Sequence, residues 1–393
     1  DANSQTDPVN FAGNRTITVD GLSQTYNDLG EPWTDSLTAN RDVQNTDEQG
    51  ANPSGRVGYN FVFGLSQLAP VQYVDANPVK QEDGSYIITV DSTGNEDNVS
   101  TCGFNDGDGA YAGGGCGGAN GLPDGKTTLR EAITVANNFN PAEEVKIHFN
   151  IPDSDANHIK YQDDGVSGTF NPNNATVAYN AVDADLDSPS WFRLQTTGSY
   201  TITGTNITID GFTQPGASAN TKAFGDVFDT VLKIETNSLN WQINGQYTAI
   251  KGMAFNGNNA QSHFSINPTS DHTKIQGIHL GVDITGRVAR GVNNYIFINA
   301  PYNTIGSDLD GINDLGEVNI INRAGTSFTI SYNNSSADFS TVVYNYINTD
   351  ITTTANTGNF KGGTGVFFNN NFGTDFGPME GVVIKNNVIG NST

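Results

Sequence analysis

Between Asn206 and Thr393 apolar and polar residues alternate in short runs of β-formers, each closed by Asn and Gly, and the phrase returns about every two dozen residues. Taking one aliphatic expected to be buried in each phrase gives Ile209, Leu232, Ile250, Ile275, Ile296, Ile320, Val342, Val366 and Val383. The steps between them are 23, 18, 25, 21, 24, 22, 24 and 17 residues. A repeat of this size marks units that cannot bury an apolar face alone and must stack on their neighbours. Strand-like phrases with tight corners, and no amphipathic helix between them, predict an all-β chain wound as a parallel β-helix, a solenoid.

The pattern ahead of the repeat is different. Asn14 to Asp20 and Val57 to Gln67 read as strands in a polar surround, and Tyr59, Phe61 and Phe63 alternate with small or polar residues as in a sheet edge. Ser85 to Asp91 (SYIITVD) is a clean strand, and Val145 to Ile151 (VKIHFNI) is another. Between them lies one helical signal. Thr128 and Glu131 have the Thr-x-x-Glu form of a capping box, with Leu129, Ile133 and Ala136 on one face. Asn137 and Asn138 suit the end of that helix, and Pro141 forbids its continuation. Residues 153–200 are rich in Asp and poor in aliphatics, as in a long lateral loop or small subdomain. The reading therefore divides the chain into a β-rich N-terminal appendage (1–83), the start of the β-helix with its capping helix (84–152), the acidic insertion (153–200) and the repeats (201–393).

A strand, a cysteine pair, TLREAI at Thr128 to Ile133, a strand ending in FNIP, and then ITIDGFTQPG from Ile207 closely resemble the right-handed parallel β-helix proteins named for their C-S-L-R-E-A-I motif. The resemblance covers roughly residues 84–391. It implies that the motif begins the β-helix of a secreted or surface-exposed, adhesin-like bacterial protein. The family's usual Cys before LREAI is Thr128 here, and the cysteines sit earlier, in a longer loop. Laid across the first turn of the fold, the helix would remove an open apolar end from water, with Arg130 and Glu131 in structural roles.

Charge narrows the partners. Lys plus Arg number 18 against 42 Asp plus Glu, a net charge of −24. That excludes the clustered cations needed for nucleic acid and disfavours anionic membrane surfaces. No stretch reaches the ~20 apolar residues of a membrane-spanning helix. Asp1-Ala2-Asn3-Ser4 is no basic and apolar leader, so an extracellular protein would have lost a signal peptide. Cys102 and Cys116 bracket one Gly-rich loop and predict a disulfide in an oxidising compartment.

Catalytic constellations are sparse. The five His form no metal-binding pair, and Lys and Arg are few through the repeats. Asp163/Asp164 and Asp308/Asp310 are paired carboxylates in acidic turns, which keep a carbohydrate-active enzyme or glycan-binding flank as the alternative, with Trp191 and Trp241 as sugar-stacking rings if exposed. Calcium is the ligand that two loops suggest: Asp308, Asp310, Asn313, Asp314 and Glu317 in one, Asp106 and Asp108 in the cysteine loop in the other. The last phrase, with Val383, Val388 and Ile389, has no covering helix after it. Open strand edges there predict either a fragment of a longer protein or end-to-end stacking into a homo-oligomer or filament, with Tyr59, Phe61 and Phe63 as a complementary piece.

Overall fold

In the computed structural model the chain divides into two compact units, Asp1–Gln72 and Tyr73–Thr393. The structure describes 15–19, 22–26, 76–97, 125–167, 176–182, 188–196, 198–237, 240–256, 263–290, 295–322, 330–333, 337–349, 365–369 and 380–390. In the first unit β1 (Arg15–Val19) and β2 (Leu22–Tyr26) pair antiparallel. Tyr59, Phe61, Phe63, Cys102, Asp106, Asp108 and Cys116 lie outside the described residues.

The second unit opens with β3 (Val79–Lys80), β4 (Tyr86–Val90), helix α1 (Leu129–Ala136) and β5 (Val145–Phe149). Residues 153–200 add β6 (His158–Tyr161), β7 (Thr176–Ala178), β8 (Ser190–Leu194) and the start of β9 (Tyr200–Ile202). From there the strands come in threes: β10 (Ile207–Asp210), β11 (Ile234–Thr236) and β12 (Asn240–Ile243), then β13 (Ala249–Lys251), β14 (Met253–Phe255) and β15 (His263–Ile266). Next are β16 (Lys274–Gln276), β17 (His279–Leu280), β18 (Tyr295–Ile298), β19 (Thr304–Gly306), β20 (Asn319–Ile321) and β21 (Ile330–Asn333). The order closes with β22 (Thr341–Val343), β23 (Asn345–Ile347), β24 (Val366–Asn369), β25 (Val383–Lys385) and β26 (Val388–Ile389).

From β10 onward each sheet takes every third strand, so the chain visits the three sheets in rotation and pairs each strand in parallel with the one a circuit earlier. The first sheet runs from β3 to β25, the second from β7 to β26 and the third from β9 to β24. Along the parallel ladders alternate residues face a common interior, which gives a row of aligned aliphatics. On the first sheet that row is Ile88, Ile147, Ile209, Ile250, Ile275, Ile305, Val342 and Ile384. On the third, Tyr200, Trp241, Phe264 and Ile296 align in the same way, and all four are buried.

The rows correct the period. Only Ile209, Ile250, Ile275 and Val342 of the nine predicted aliphatics share one row; Ile320 is on the second sheet, Ile296 and Val366 are on the third, and Leu232 precedes β11. Val383 aligns with Thr341, one residue off the row. Successive row residues from Ile209 to Ile384 are 41, 25, 30, 37 and 42 apart, so two dozen residues measure a phrase and not a circuit. Apolar alternation is local and says that a strand is present; which sheet it joins depends on loops of unequal length.

Corners repeat along the ladder as well. Asn206, Tyr247, His272, Tyr302, Phe339 and Gly381 each stand three residues before a row residue, and all have φ between 53° and 63°. Tyr247, His272, Tyr302 and Phe339 stack there at centroid separations of 4.6, 5.1 and 5.2 Å, close to the ~4.8 Å between neighbouring strands. At another corner Asn319 Nδ2 donates to Asn345 Oδ1 and Asn345 Nδ2 to Asn387 Oδ1, both at 2.9 Å, which satisfies buried amides circuit after circuit.

Two further apolar clusters lie apart from the interior, on the outer side of the second sheet. One gathers Ile320 and Tyr346 with Phe228, Val282 and Val318, the other Ala254 with Tyr161, Trp191, Leu232 and Ile284. The long connections β10–β11, β17–β18 and β19–β20 therefore fold back over this sheet.

Candidate functional site

At one end of the ladders the edges are finished. Strand β3 pairs antiparallel with β4, β6 pairs antiparallel with β7 and β8, and α1 packs on β4, β5 and β9. Helix α1 carries a complete capping box: Thr128 Oγ1 accepts from Glu131 N at 3.2 Å, and Glu131 Oε2 accepts from Thr128 N at 2.7 Å. Leu129, Glu131, Ala132, Ile133 and Ala136 are buried. Arg130 donates to Asn95 Oδ1 at 3.1 Å and lies 4.9 Å from the centre of the Tyr200 ring, so the guanidinium spreads over an aromatic at the edge of the third sheet.

The other end is different. Among the described residues strands β24, β25 and β26 are the last of their ladders, one per sheet. Val383, Ile384 and Ile389 are 38, 37 and 45 % exposed, whereas Val342 and Ile347, the partners of Ile384 and Ile389, are fully buried. Val388 is half-buried.

The acidic loop 307–317 joins β19 to β20. One carboxylate oxygen from each of Asp308, Asp310 and Asp314 lies within 4.8 Å of the others. Lys274 Nζ donates to Asp308 Oδ2 at 2.5 Å, Glu317 Oε2 accepts from Asp308 N at 3.1 Å, and Asp314 Oδ1 accepts from Ser307 Oγ at 2.9 Å. Half-burial raises Glu317 above its ordinary carboxylate value, and the neighbouring charges of Asp308 and Asp314 add to that. Three hard oxygens could hold a divalent cation, in competition with the Lys274 ammonium already on Asp308. Gly316 leaves room for the Asn313 side chain, since a Cβ there would come within 2.7 Å of its amide.

Beside this loop is a cleft of about 570 Å³ over the second sheet. Asn220 and Phe224, from the β10–β11 connection, form one wall. Asn313, Asp314 and Leu315 form the other, with Val318 and Tyr344 between. Asn220 Nδ2 donates to Leu315 O at 3.0 Å and ties the walls together. Phe224 meets Tyr344 edge-on with centroids 4.9 Å apart. Phe224 and Tyr344 lie 120 residues apart in sequence, and no spacing rule joins them.

The remaining candidate residues are elsewhere. Trp191 and Trp241 are buried and offer no exposed stacking face. Asp163 and Asp164 accept from the backbone of their own turn, at Gly165 N and Val166 N. Two buried carboxylates are held in place: Glu235 accepts from Trp191 Nε1 and Arg193 Nε, both at 2.6 Å, and Asp283 from Tyr161 Oη at 2.8 Å and Thr285 Oγ1 at 2.6 Å. Among the described residues no helix is long and apolar enough to cross a membrane.

No protein-family model, curated protein or solved structure matches this chain. The resemblance of its TLREAI region to a β-helix family thus rests on those residues alone.

Proposed function

We propose that the second unit is a right-handed parallel β-helix that works outside the cell as a non-catalytic structural protein, an adhesin-like surface element or filament subunit that joins its neighbours end to end. The stacked parallel ladders carry this reading: from β10 onward each of the three sheets adds one strand per circuit, a geometry that a neighbouring chain can continue. The proposed contact uses the exposed aliphatics of β25 and β26, Val383, Ile384 and Ile389. An unpaired apolar strand edge is a template for another chain. Right-handed winding follows from the rule for crossovers between parallel strands of one sheet. The carboxylates Glu235 and Asp283, tied into hydrogen bonds of the outer layer, support a structural over a catalytic use. The resemblance of the capping region supports an extracellular setting.

Electron microscopy of the purified chain across a concentration series, with and without calcium chelator, tests the proposal. Regular end-to-end filaments are the expected result. Isolated particles at every concentration would overturn it, and filaments lost only in chelator would add a calcium requirement.

A further inference from the structure

The geometry points to the cleft between the β10–β11 and β19–β20 connections as a binding site for a neutral saccharide, an activity separate from end-to-end assembly.

The first argument is where the backbone is strained. Leu309, Asn313 and Tyr344 all line the cleft, and all have left-handed φ, at 61°, 62° and 53°. For Leu and Tyr this conformation is strained, whereas Asn adopts it more readily. Tyr344 stands two residues after the row residue Val342, and at the matching corners after Ile250 and Ile275 the chain has Gly252 and Gly277, which take the conformation freely. A tyrosine here places a ring against Phe224 that a glycine would not supply. Left-handed non-Gly residues recur at corners along the ladder, and these three are the ones that line the cleft.

The second argument is preorganisation. Asn220 bridges the walls, Gly316 N donates to Asn313 O at 2.7 Å, Ser307 Oγ to Asp314 Oδ1 at 2.9 Å, and Ile312 N to Asp310 Oδ1 at 2.7 Å. A braced site loses little entropy when occupied.

Chemistry then selects the ligand. Phe224 and Tyr344 provide aromatic surface for the C–H face of a pyranose, while the Asn313 amide and the Asp314 carboxylate suit adjacent hydroxyls, which both donate and accept. Among the described residues that line the cleft there is no Lys or Arg, and Asp308 and Asp310 add negative charge nearby, so uronates and phosphates are repelled. A quaternary ammonium would meet the rings and Asp314 but would leave the Asn313 amide donors unused. The volume, about 570 Å³, is within the range of roughly 300–1,000 Å³ for small-molecule sites.

Saturation-transfer NMR and calorimetry on the full chain form the test, with methyl hexopyranosides and neutral di- and trisaccharides as probes and galacturonate oligomers and tetramethylammonium as comparators. At least one neutral saccharide should bind with millimolar or better affinity. Asn313→Gly, which keeps the left-handed backbone and removes the amide, should weaken it about tenfold with little change in melting temperature, and Tyr344→Asn, which removes the ring, by at least as much, with a melting temperature lower by a few degrees and the fold retained by circular dichroism. No saccharide binding, binding unaltered in both variants, or preference for either comparator would overturn the inference. Filament formation is scored separately, so failure here leaves the assembly proposal standing.

Discussion

Tyr302 shows what individual side chains do in this fold. It is 48 % exposed at φ 60°, between the rings of His272 and Phe339. Each aromatic pair contributes about 0.5–1.5 kcal/mol, roughly offsetting a left-handed penalty of about 1–2 kcal/mol. Tyr302→Ala loses the stacking and keeps the strain, whereas Tyr302→Gly loses both. The alanine variant should therefore be the less stable of the two by about 1 kcal/mol in urea unfolding. Local propensity argues against aromatics in this conformation, so the row could not be read from the sequence. His279 is buried with Nδ1 3.0 Å from Asp283 O, an arrangement in which the neutral ring donates to that carbonyl. Desolvation holds its pKa below the ordinary 6.5. The unfolded chain therefore binds a proton near pH 6.5 that the folded chain refuses, so this stability is complete above that pH and is lost as pH falls. His148 and His158 are shifted the same way by burial. The urea midpoint should drop between about pH 7.5 and pH 5.5, and His279→Gln should flatten the dependence by up to about 1.4 kcal/mol per pH unit.

Among the elements, α1 is the one whose form was most legible, because a capping box is a rule of residues three apart. Thr128→Ala should destabilise the chain by about 1 kcal/mol, and Thr128→Ser should restore most of it, as thermal or denaturant unfolding would report. A loss several times larger would show that closing the end of the sheets depends on Thr128 beyond its cap. What α1 rests on was less legible: Asn137 Nδ2 donates to Thr201 O at 2.9 Å, and its Oδ1 accepts from Thr203 N at 2.8 Å, across more than 60 residues. The acidic segment 153–200 likewise carried no sign that β6 and β8 would join the second sheet antiparallel, since its aliphatics are few and the strand aromatics Tyr161, Trp191 and Phe192 are spread along it.

For the whole molecule the proposed assembly is tested at β25 and β26. Val383 and Ile389 are exposed on these last described strands, so Val383→Lys and Ile389→Lys add charge to the edge and remove little buried area. Each should abolish filaments while leaving circular dichroism unchanged and stability within about 0.5 kcal/mol. Filaments that persist in the double variant would move the contact away from this edge.

The sequence by itself determined the strands, through period-two alternation, and some of the corners, through Asn and Gly. It also determined the helix, through its cap and apolar face. These are local relations among residues a few positions apart. Tertiary structure decided which sheet each strand joins, because the connections make circuits of 25 to 42 residues and no fixed period carries the register. It also decided the cleft, where Phe224, Asn313 and Tyr344 meet because two long connections fold back over the same sheet. Packing over such distances depends on how much apolar surface each connection can cover, and no short pattern records it.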